Sequence, residues 1–312
     1  MAYNTRTMEM IQLGRSGMNA SRLAYGCMRI AGDGSRDDRE KGKRAVMAAF
    51  EHGYTLFDHA DIYGGGACEE LMGEVLAENP GMRDKIVLLS KCGIRLAGDS
   101  DDDAPGRYDF SADYLSAQVE GSLRRLRTEQ LDFLLLHRPD YLMDASEVAA
   151  VFDALSTAGK VAHFGVSNFS ASQVELLQSA ANVPLHVNQV QINIHETGAF
   201  TNGVLDQCQR LGMTPQAWCP IAGVAYDAWG NTFSDDDKAR ISAELERQSH
   251  RYEAAPWVVV LAWLMRHPVK ISPIVGSTTP ERIAAAVASL DIDYSREDWY
   301  RLLEARNGAA VD

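Results

Sequence analysis

Eight short apolar runs, each followed by a longer stretch with helical spacing, limit the folds open to this chain more than any other feature of its sequence. The runs fall at 23–25, 55–58, 86–90, 131–136, 161–166, 186–192, 214–218 and 271–275. The run at 131–136 (LDFLLL) is too short and too apolar for a surface helix, and reads as a strand buried on both faces. Helical stretches follow at 37–52, 66–78, 111–127, 144–158, 170–180, 200–211, within 237–267 and at 280–290. Strict strand–helix alternation is the pattern of an α/β parallel sheet, and eight rounds of it close into a (β/α)8 TIM barrel. Residues 9–22, broken by Gly14 and Gly17, read as an N-terminal β-hairpin ahead of the first barrel strand.

The joints carry matching punctuation. Ser170 and Gln173 have the spacing of a capping box, and Thr279-Pro280-Glu281 gives an N-cap, a first-turn proline and an acid. Gly53, Gly159 and Gly212 stand where a helix hands over to the second, fifth and seventh strands. No Pro/Gly/Ser-rich linker divides the chain and no repeat is visible, so residues 1–312 read as a single barrel domain. Three segments exceed what joints need: 93–110, 221–236 and the tail beyond 291. In a barrel, long βα loops lie over the C-terminal face and shape a pocket.

Charge and composition exclude several partners. A net charge of −13 argues against nucleic acid and against an anionic membrane, both of which call for a basic footprint. The first residues lack the apolar core of a signal peptide, and the longest apolar run, 256–265, is about half a membrane span. Five scattered cysteines with no CxxC pair suggest reduced thiols in the cytoplasm. No clear association face is visible; a monomer is slightly favoured.

The chemistry gathers where the apolar runs end. Run 55–58 ends in Asp58, run 86–90 is followed by Lys91, and run 131–136 by His137. In a parallel barrel these C-terminal ends share one edge, on neighbouring strands about 4.8 Å apart. Tyr63 follows Asp58 closely enough to fold back over the same opening. A phenol titrates near pH 10, and a nearby ammonium would lower that value while a carboxylate keeps the buried lysine charged. A histidine adds a hydrogen bond to a carbonyl oxygen or assists a proton relay. The set suits protonation of an oxyanion formed from an aldehyde or ketone. It holds no nucleophile with a base and no set of three metal ligands.

The segments FDHADIYG, LLSKCG, LLLHRPD, GVSNF, NQVQIN, QAWCPIAG and PIVGSTTPERI, in this order over nearly the whole chain, resemble the aldo-keto reductases. DHADIYGGG, SKCGI and the HRPD segment resemble the YdhF-like bacterial oxidoreductase branch of that family. The resemblance implies a (β/α)8 barrel holding NADPH, with NADH as the alternative, at its C-terminal face, and reduction of a small-molecule carbonyl substrate. It implies Tyr63 as general acid, Lys91 and Asp58 as the pair that tunes it, and His137 as the substrate-orienting residue. It further implies that Ser167, Asn168 and Gln189 hold the nicotinamide carboxamide and that Trp218 stacks on its ring. By the same resemblance Gly26 and Met28, with Asp58, lie beside the cofactor, Cys219, Pro220, Ile221 and Gly223 lie under the pyrophosphate, and Ser277, Thr278 and Arg282 meet the adenosine 2′-phosphate. Gly276 stands where many members carry lysine, a departure that bears on NADPH over NADH. The segment Gly276-Ser277-Thr278 also ends a strand just before a helix, where barrels bind phosphate. No GxGxxG follows a strand, so a doubly wound dinucleotide domain is not supported. His59, Ile94, Arg138 and Trp229 are candidates for the substrate pocket. Two other readings stand beside the reductase: an NADPH-binding redox-sensing module with slow chemistry, and a barrel isomerase or lyase without nicotinamide.

Overall fold

Residues 7–99, 101–227 and 233–311 are described by the computed structural model of the chain. An antiparallel hairpin of β1 (Met10–Gln12) and β2 (Asn19–Ser21) comes first, followed by β3 (Ala24–Gly26), α1 (Arg36–Glu51), β4 (Leu56–Asp58), α2 (Ala67–Glu78) and β5 (Val87–Cys92). A second small hairpin, β6 (Ile94–Arg95) and β7 (Arg107–Tyr108), precedes α3 (Ala112–Leu126). The chain continues through β8 (Leu131–Leu136), α4 (Ala145–Thr157), β9 (Val161–Ser167), α5 (Ala171–Ala180), β10 (Leu185–Gln191), α6 (Val204–Leu211) and β11 (Thr214–Trp218). It ends with α7 (Asp235–Tyr252), α8 (Pro256–Met265), β12 (Ser272–Val275), α9 (Pro280–Ala286) and α10 (Arg296–Asn307). Strands β3, β4, β5, β8, β9, β10, β11 and β12 pair side by side, and β12 pairs in parallel with β3, which closes the eight-stranded barrel expected from the alternation.

Period-two alternation sorts the strand residues into two layers. Leu56, Val87, Leu89, Phe133, Leu135 and Val187 pack together inside the barrel. Phe57, Leu88, Leu134 and Val190 belong to the larger core between sheet and helices. Ile11, Leu13 and Ala20 of the hairpin join the inner cluster, so the hairpin stoppers one end of the barrel. Which end is fixed by its bonds to strand beginnings: Gly14 N donates to Thr214 Oγ1 at 2.8 Å and Ser21 N to Thr55 Oγ1 at 2.8 Å. The C-terminal end is left for chemistry.

Most joints behave as their residues dictate. Gly53, Gly159 and Gly212 have φ of 84°, 69° and 67°, and Ser170 and Gln173 form a complete capping box. Thr279 holds the N-cap position of α9 without a side-chain cap bond; its own N–H donates to Ser277 Oγ at 3.1 Å. Helix α6 starts later than its pattern predicts, because Gly203 at φ 83° turns the chain and Asn202 Oδ1 accepts from Val204 N. The stretch within 237–267 splits into α7 and α8 at Glu253, whose φ is 50°, just before Pro256. Two of the surplus segments hold unforeseen structure. Loop 93–110 carries β6 and β7, where Asp99 pairs with Arg95 and Arg107 instead of standing alone in solvent. The tail carries α10, whose buried Asp298 meets Arg247, Arg251 and Arg301 and accepts from the Tyr252 hydroxyl. Among the described residues no helix is long and apolar enough to cross a membrane.

Candidate active site

Strands β4, β5 and β8 are neighbours, and the inward alternation continues past their apolar layers into polar residues. Asp58 stands one inward position above Leu56, Lys91 above Leu89, and His137 above Leu135. Lys91, fully buried, donates from Nζ to Asp58 Oδ1 at 2.7 Å and to the His59 carbonyl at 2.7 Å. Tyr63 arrives on the turn after β4, where Gly64, Gly65 and Gly66 have φ of 59°, 62° and 97°. Only glycine takes three such angles in a row without strain, and this reversal folds Tyr63 back over the strand ends. Lys91 Nζ lies over the Tyr63 ring, 5.0 Å from its centroid. The His137 ring meets the Tyr63 ring edge-on at 5.9 Å. All four residues therefore share one small, mostly buried volume.

Burial dominates the electrostatics there. It pushes the Tyr63 phenol up to about 12, against the pull of Lys91, and Asp58 adds to the rise. This corrects the expectation of a lowered phenol pKa: the ammonium acts in the expected direction, but desolvation outweighs it. Burial opposes the Lys91 charge too, yet Asp58 and Tyr63 outweigh burial and hold its pKa above the ordinary lysine value. His137 is held well below the usual histidine range by burial, then by Lys91 and Arg138, so its imidazole is neutral. The site at neutral pH is a protonated phenol, an ammonium–carboxylate pair and a neutral imidazole.

A second ring of polar groups extends the cluster along the barrel mouth. Gln189 Nε2 donates to Asp58 Oδ1 at 2.8 Å and to Gln216 Oε1 at 3.0 Å, so its amide nitrogen is engaged with the carboxylate. Asn168, at φ 61°, donates from Nδ2 to Ser167 Oγ at 2.8 Å and, more weakly, to the His137 carbonyl at 3.5 Å. Its Oδ1 accepts from Trp218 Nε1 at 2.9 Å. The Arg138 guanidinium lies over the Trp218 ring, 5.2 Å from its centroid.

A profile of the Aldo/keto reductase family matches residues 22–307 of the chain. The chain belongs to the aldo-keto reductase family. It is 37% identical to the oxidoreductase YdhF of Escherichia coli K12, over 97% of this chain and 99% of that one. It is 38% identical to a 6-dehydroglucose reductase of Agrobacterium fabrum, over 94% of this chain and 97% of the other. Among solved structures, the thermostable aldo-keto reductase Tm1743, in complex with the inhibitor epalrestat, superposes with a TM-score of 0.82 at 25% identity, covering 96% of this chain and 100% of that one. Membership makes the chain an oxidoreductase of the class that acts on carbonyl groups with a nicotinamide cofactor.

The remaining residues singled out for this aldo-keto reductase are spread around the mouth. Gly26 ends β3 beside Gly276 beyond β12: a Cβ on Gly26 would strike Ile274 Cγ2 at 2.8 Å and lie 3.5 Å from Gly276 Cα, whereas one on Gly276 would find, among the described residues, only the Gly26 carbonyl, 3.9 Å away. The backbone is therefore open above Gly276, while Ile274 packs over Gly26. Met28 is 39% exposed, and its carbonyl accepts from the Cys68 thiol at 3.4 Å. Ser277 and Thr278 are half-buried, and Arg282 is exposed and in no ion pair among the described residues. Cys219 takes a left-handed φ of 49°, and its carbonyl accepts from Asn193 Nδ2 at 3.1 Å. Pro220 is buried, Ile221 half-buried, and Gly223 packs against the His195 ring. Ile94 is half-buried on β6, with its carbonyl bonded by the Tyr114 hydroxyl. His59 is fully buried with neither ring nitrogen partnered among the described residues, so what it gives the cluster is its main-chain carbonyl. Trp229 lies outside the described residues.

Three polar groups in this region escaped sequence reasoning. Gln216, fully buried beneath Gln189, carried a signal: Thr214, Gln216 and Trp218 alternate on the inward face. Glu69 and Asp61 carried none. Glu69 is fully buried and satisfied, accepting from Ser90 Oγ at 2.6 Å and from Arg125 Nε at 2.8 Å. Among the described residues neither oxygen of the buried Asp61 has a hydrogen bond of ordinary geometry, while its main-chain N–H donates to the Lys91 carbonyl at 3.0 Å. Burial first and Glu69 second lift the Asp61 carboxyl to about 7, against Arg125 and Lys91.

A raised folded-state pKa favours the protonated folded protein. The benefit is complete below the unfolded aspartate value, near pH 4, and is lost as pH rises through about 7. Asp61→Asn removes this dependence. Urea denaturation of both proteins should show the variant gaining on the parent by about 2–4 kcal/mol between pH 4 and pH 8. A stability difference that stays constant across that window would contradict the titration.

Proposed function

We propose that this aldo-keto reductase is an NADPH-dependent reductase of aldehydes or ketones in which Tyr63 is the proton donor. The observation that carries the reading is Lys91, whose Nζ joins the Asp58 carboxylate at 2.7 Å while lying against the ring of a half-buried, protonated tyrosine.

When bound, a nicotinamide dinucleotide would supply the hydride, and the residues around the mouth fit such a group. The open space over Gly276 leaves room for an extended ligand, and Asn168, Ser167 and Trp218 form a bonded platform next to His137. Arg282, in no ion pair among the described residues, offers with Ser277 and Thr278 a cation and hydroxyls for a phosphate.

The chain's own residues handle the oxygen and the proton. His137, neutral, can present an N–H to the carbonyl oxygen without setting a second cation beside Lys91. Tyr63 then gives its proton to that oxygen as negative charge develops there. Lys91 stabilises the phenolate left behind, and Asp58 keeps Lys91 charged although it is fully buried. Gln189 donates to the same Asp58 oxygen that Lys91 holds. Bulk solvent is kept from this exchange by the burial of Lys91 and Asp58. A sugar-derived aldehyde is favoured as substrate by the likeness to the Agrobacterium 6-dehydroglucose reductase.

The test is oxidation of NADPH in the presence of a panel of aldehydes and ketones, followed by absorbance; no turnover with any of them rejects the reading. Cofactor choice is checked separately by fluorescence titration. NADPH should bind more tightly than NADH, and Arg282→Ala should erase about tenfold or more of that preference, the value of a charge-assisted hydrogen bond. Equal affinities for the two cofactors in the parent protein would reject NADPH as the physiological choice.

A further inference from the structure

Arg138 sits at the rim of this site with its hydrogen-bonding capacity unspent. It follows His137 directly, lies over the Trp218 ring at 5.2 Å, and is close enough to His137 to help keep that imidazole neutral. Among the described residues it takes part in no ion pair and no hydrogen bond. Exposed arginines elsewhere on the chain are also unpaired, but Arg138 is half-buried against the site rather than out in solvent. The nearest carboxylate in sequence, Asp140, is already committed: its oxygens accept from Phe110 N at 3.0 Å and from Leu142 N at 2.9 Å. A guanidinium stacked on an aromatic ring spends its flat face and keeps its N–H edges free. It carries five donors and no acceptor, so whatever completes it must bring acceptor oxygens.

We propose that Arg138 is a specificity-determining residue that binds an acceptor oxygen, carboxylate or hydroxyl, on the carbon chain of the carbonyl substrate. The inference rests on the reductase reading above and names the substrate class: oxygen-bearing aldehydes or ketones rather than plain hydrocarbon ones. Trp218 fixes the height of the guanidinium, and Asn168, bonded to Trp218, ties that height to the His137 carbonyl. Distance from His137 thereby selects how far along the chain the second oxygen must lie.

Three aldehydes separate the cases: glyceraldehyde carries hydroxyls, succinic semialdehyde a carboxylate, and butanal neither. Arg138→Met should raise KM for glyceraldehyde, succinic semialdehyde or both by about tenfold or more, while kcat/KM for butanal changes little. Which of the first two suffers tells hydroxyl from carboxylate recognition. Arg138→Lys, which keeps the cation but not the planar fork, should recover part of the loss for a carboxylate and less for hydroxyls. Equal losses on all three aldehydes would overturn the proposal, because Arg138 would then serve only to hold Trp218. So would a change in NADPH affinity of the same size, which would place Arg138 on the cofactor. Should the parent protein reduce none of the three, the reductase reading fails by itself, and saturation-transfer NMR decides the role of Arg138. Transfer to glycerol or succinate that Arg138→Met abolishes, with transfer to butanol kept, supports it; unchanged or absent transfer to both overturns it.

Discussion

Tyr63→Phe is expected to lower kcat by about 10²–10⁴-fold, the usual worth of a positioned general acid, while the cofactor still binds. The substitution removes one hydroxyl and keeps the ring, so the edge-on contact with His137 and the face presented to Lys91 persist. Loss of turnover with an unchanged cofactor titration therefore isolates proton delivery from binding. The acidity of the phenol adds a second readout. A group lifted to about 12 is protonated across the neutral range, so the reduction rate should hold through neutral pH on the Tyr63 account and decline only in strong alkali. The phenylalanine variant should lack that alkaline decline. Turnover within about tenfold of the parent would remove Tyr63 from the mechanism, because water does not replace a preorganised donor that well.

The barrel and its polar rim were legible in the sequence for one reason: inward residues repeat every second position. Phe133, Leu135 and His137 lie on one line, as do Val87, Leu89 and Lys91, so a reader who finds the apolar layer can count one step further to the chemistry. The same counting would have reached Gln216 through Thr214 and Trp218. Helix α10 was missed because it is anchored by a buried carboxylate among arginines, which leaves a weak apolar stripe. Asp61 was missed because nothing in a sequence separates a buried aspartate from a solvated one. The raised pKa of Tyr63 was missed for a related reason. The neighbouring charges can be guessed from spacing, but the depth of burial that overrules them is a property of the whole fold. Arg138 reads in the sequence as a pocket candidate, whereas its lack of a hydrogen-bonded partner among the described residues depends on where Asp140 turns its oxygens.

Lys91→Met should do two separable kinds of damage. The first is to stability. The side chain is fully buried and its ammonium is the near partner of Asp58, whose side chain is 4% exposed. Removing one member of such a pair leaves the other charge uncompensated, at a typical cost of about 3–5 kcal/mol. Asp58 would keep only the amide of Gln189, and the His59 carbonyl would lose its donor. The second is to catalysis, since no cation would remain beside the phenolate that Tyr63 becomes. A double variant, Asp58→Asn with Lys91→Met, tells the two apart. Taking away both charges removes the electrostatic mismatch, and a buried pair replaced by neutral groups of similar size is often close to neutral in stability. Urea denaturation should then show most of the lost stability restored, whereas carbonyl reduction should stay at the level of the single variant. If instead the double variant regained turnover along with stability, Lys91 would be a structural residue only. If Lys91→Met were as stable as the parent, the ion pair would not be the buried linchpin that its 2.7 Å contact indicates.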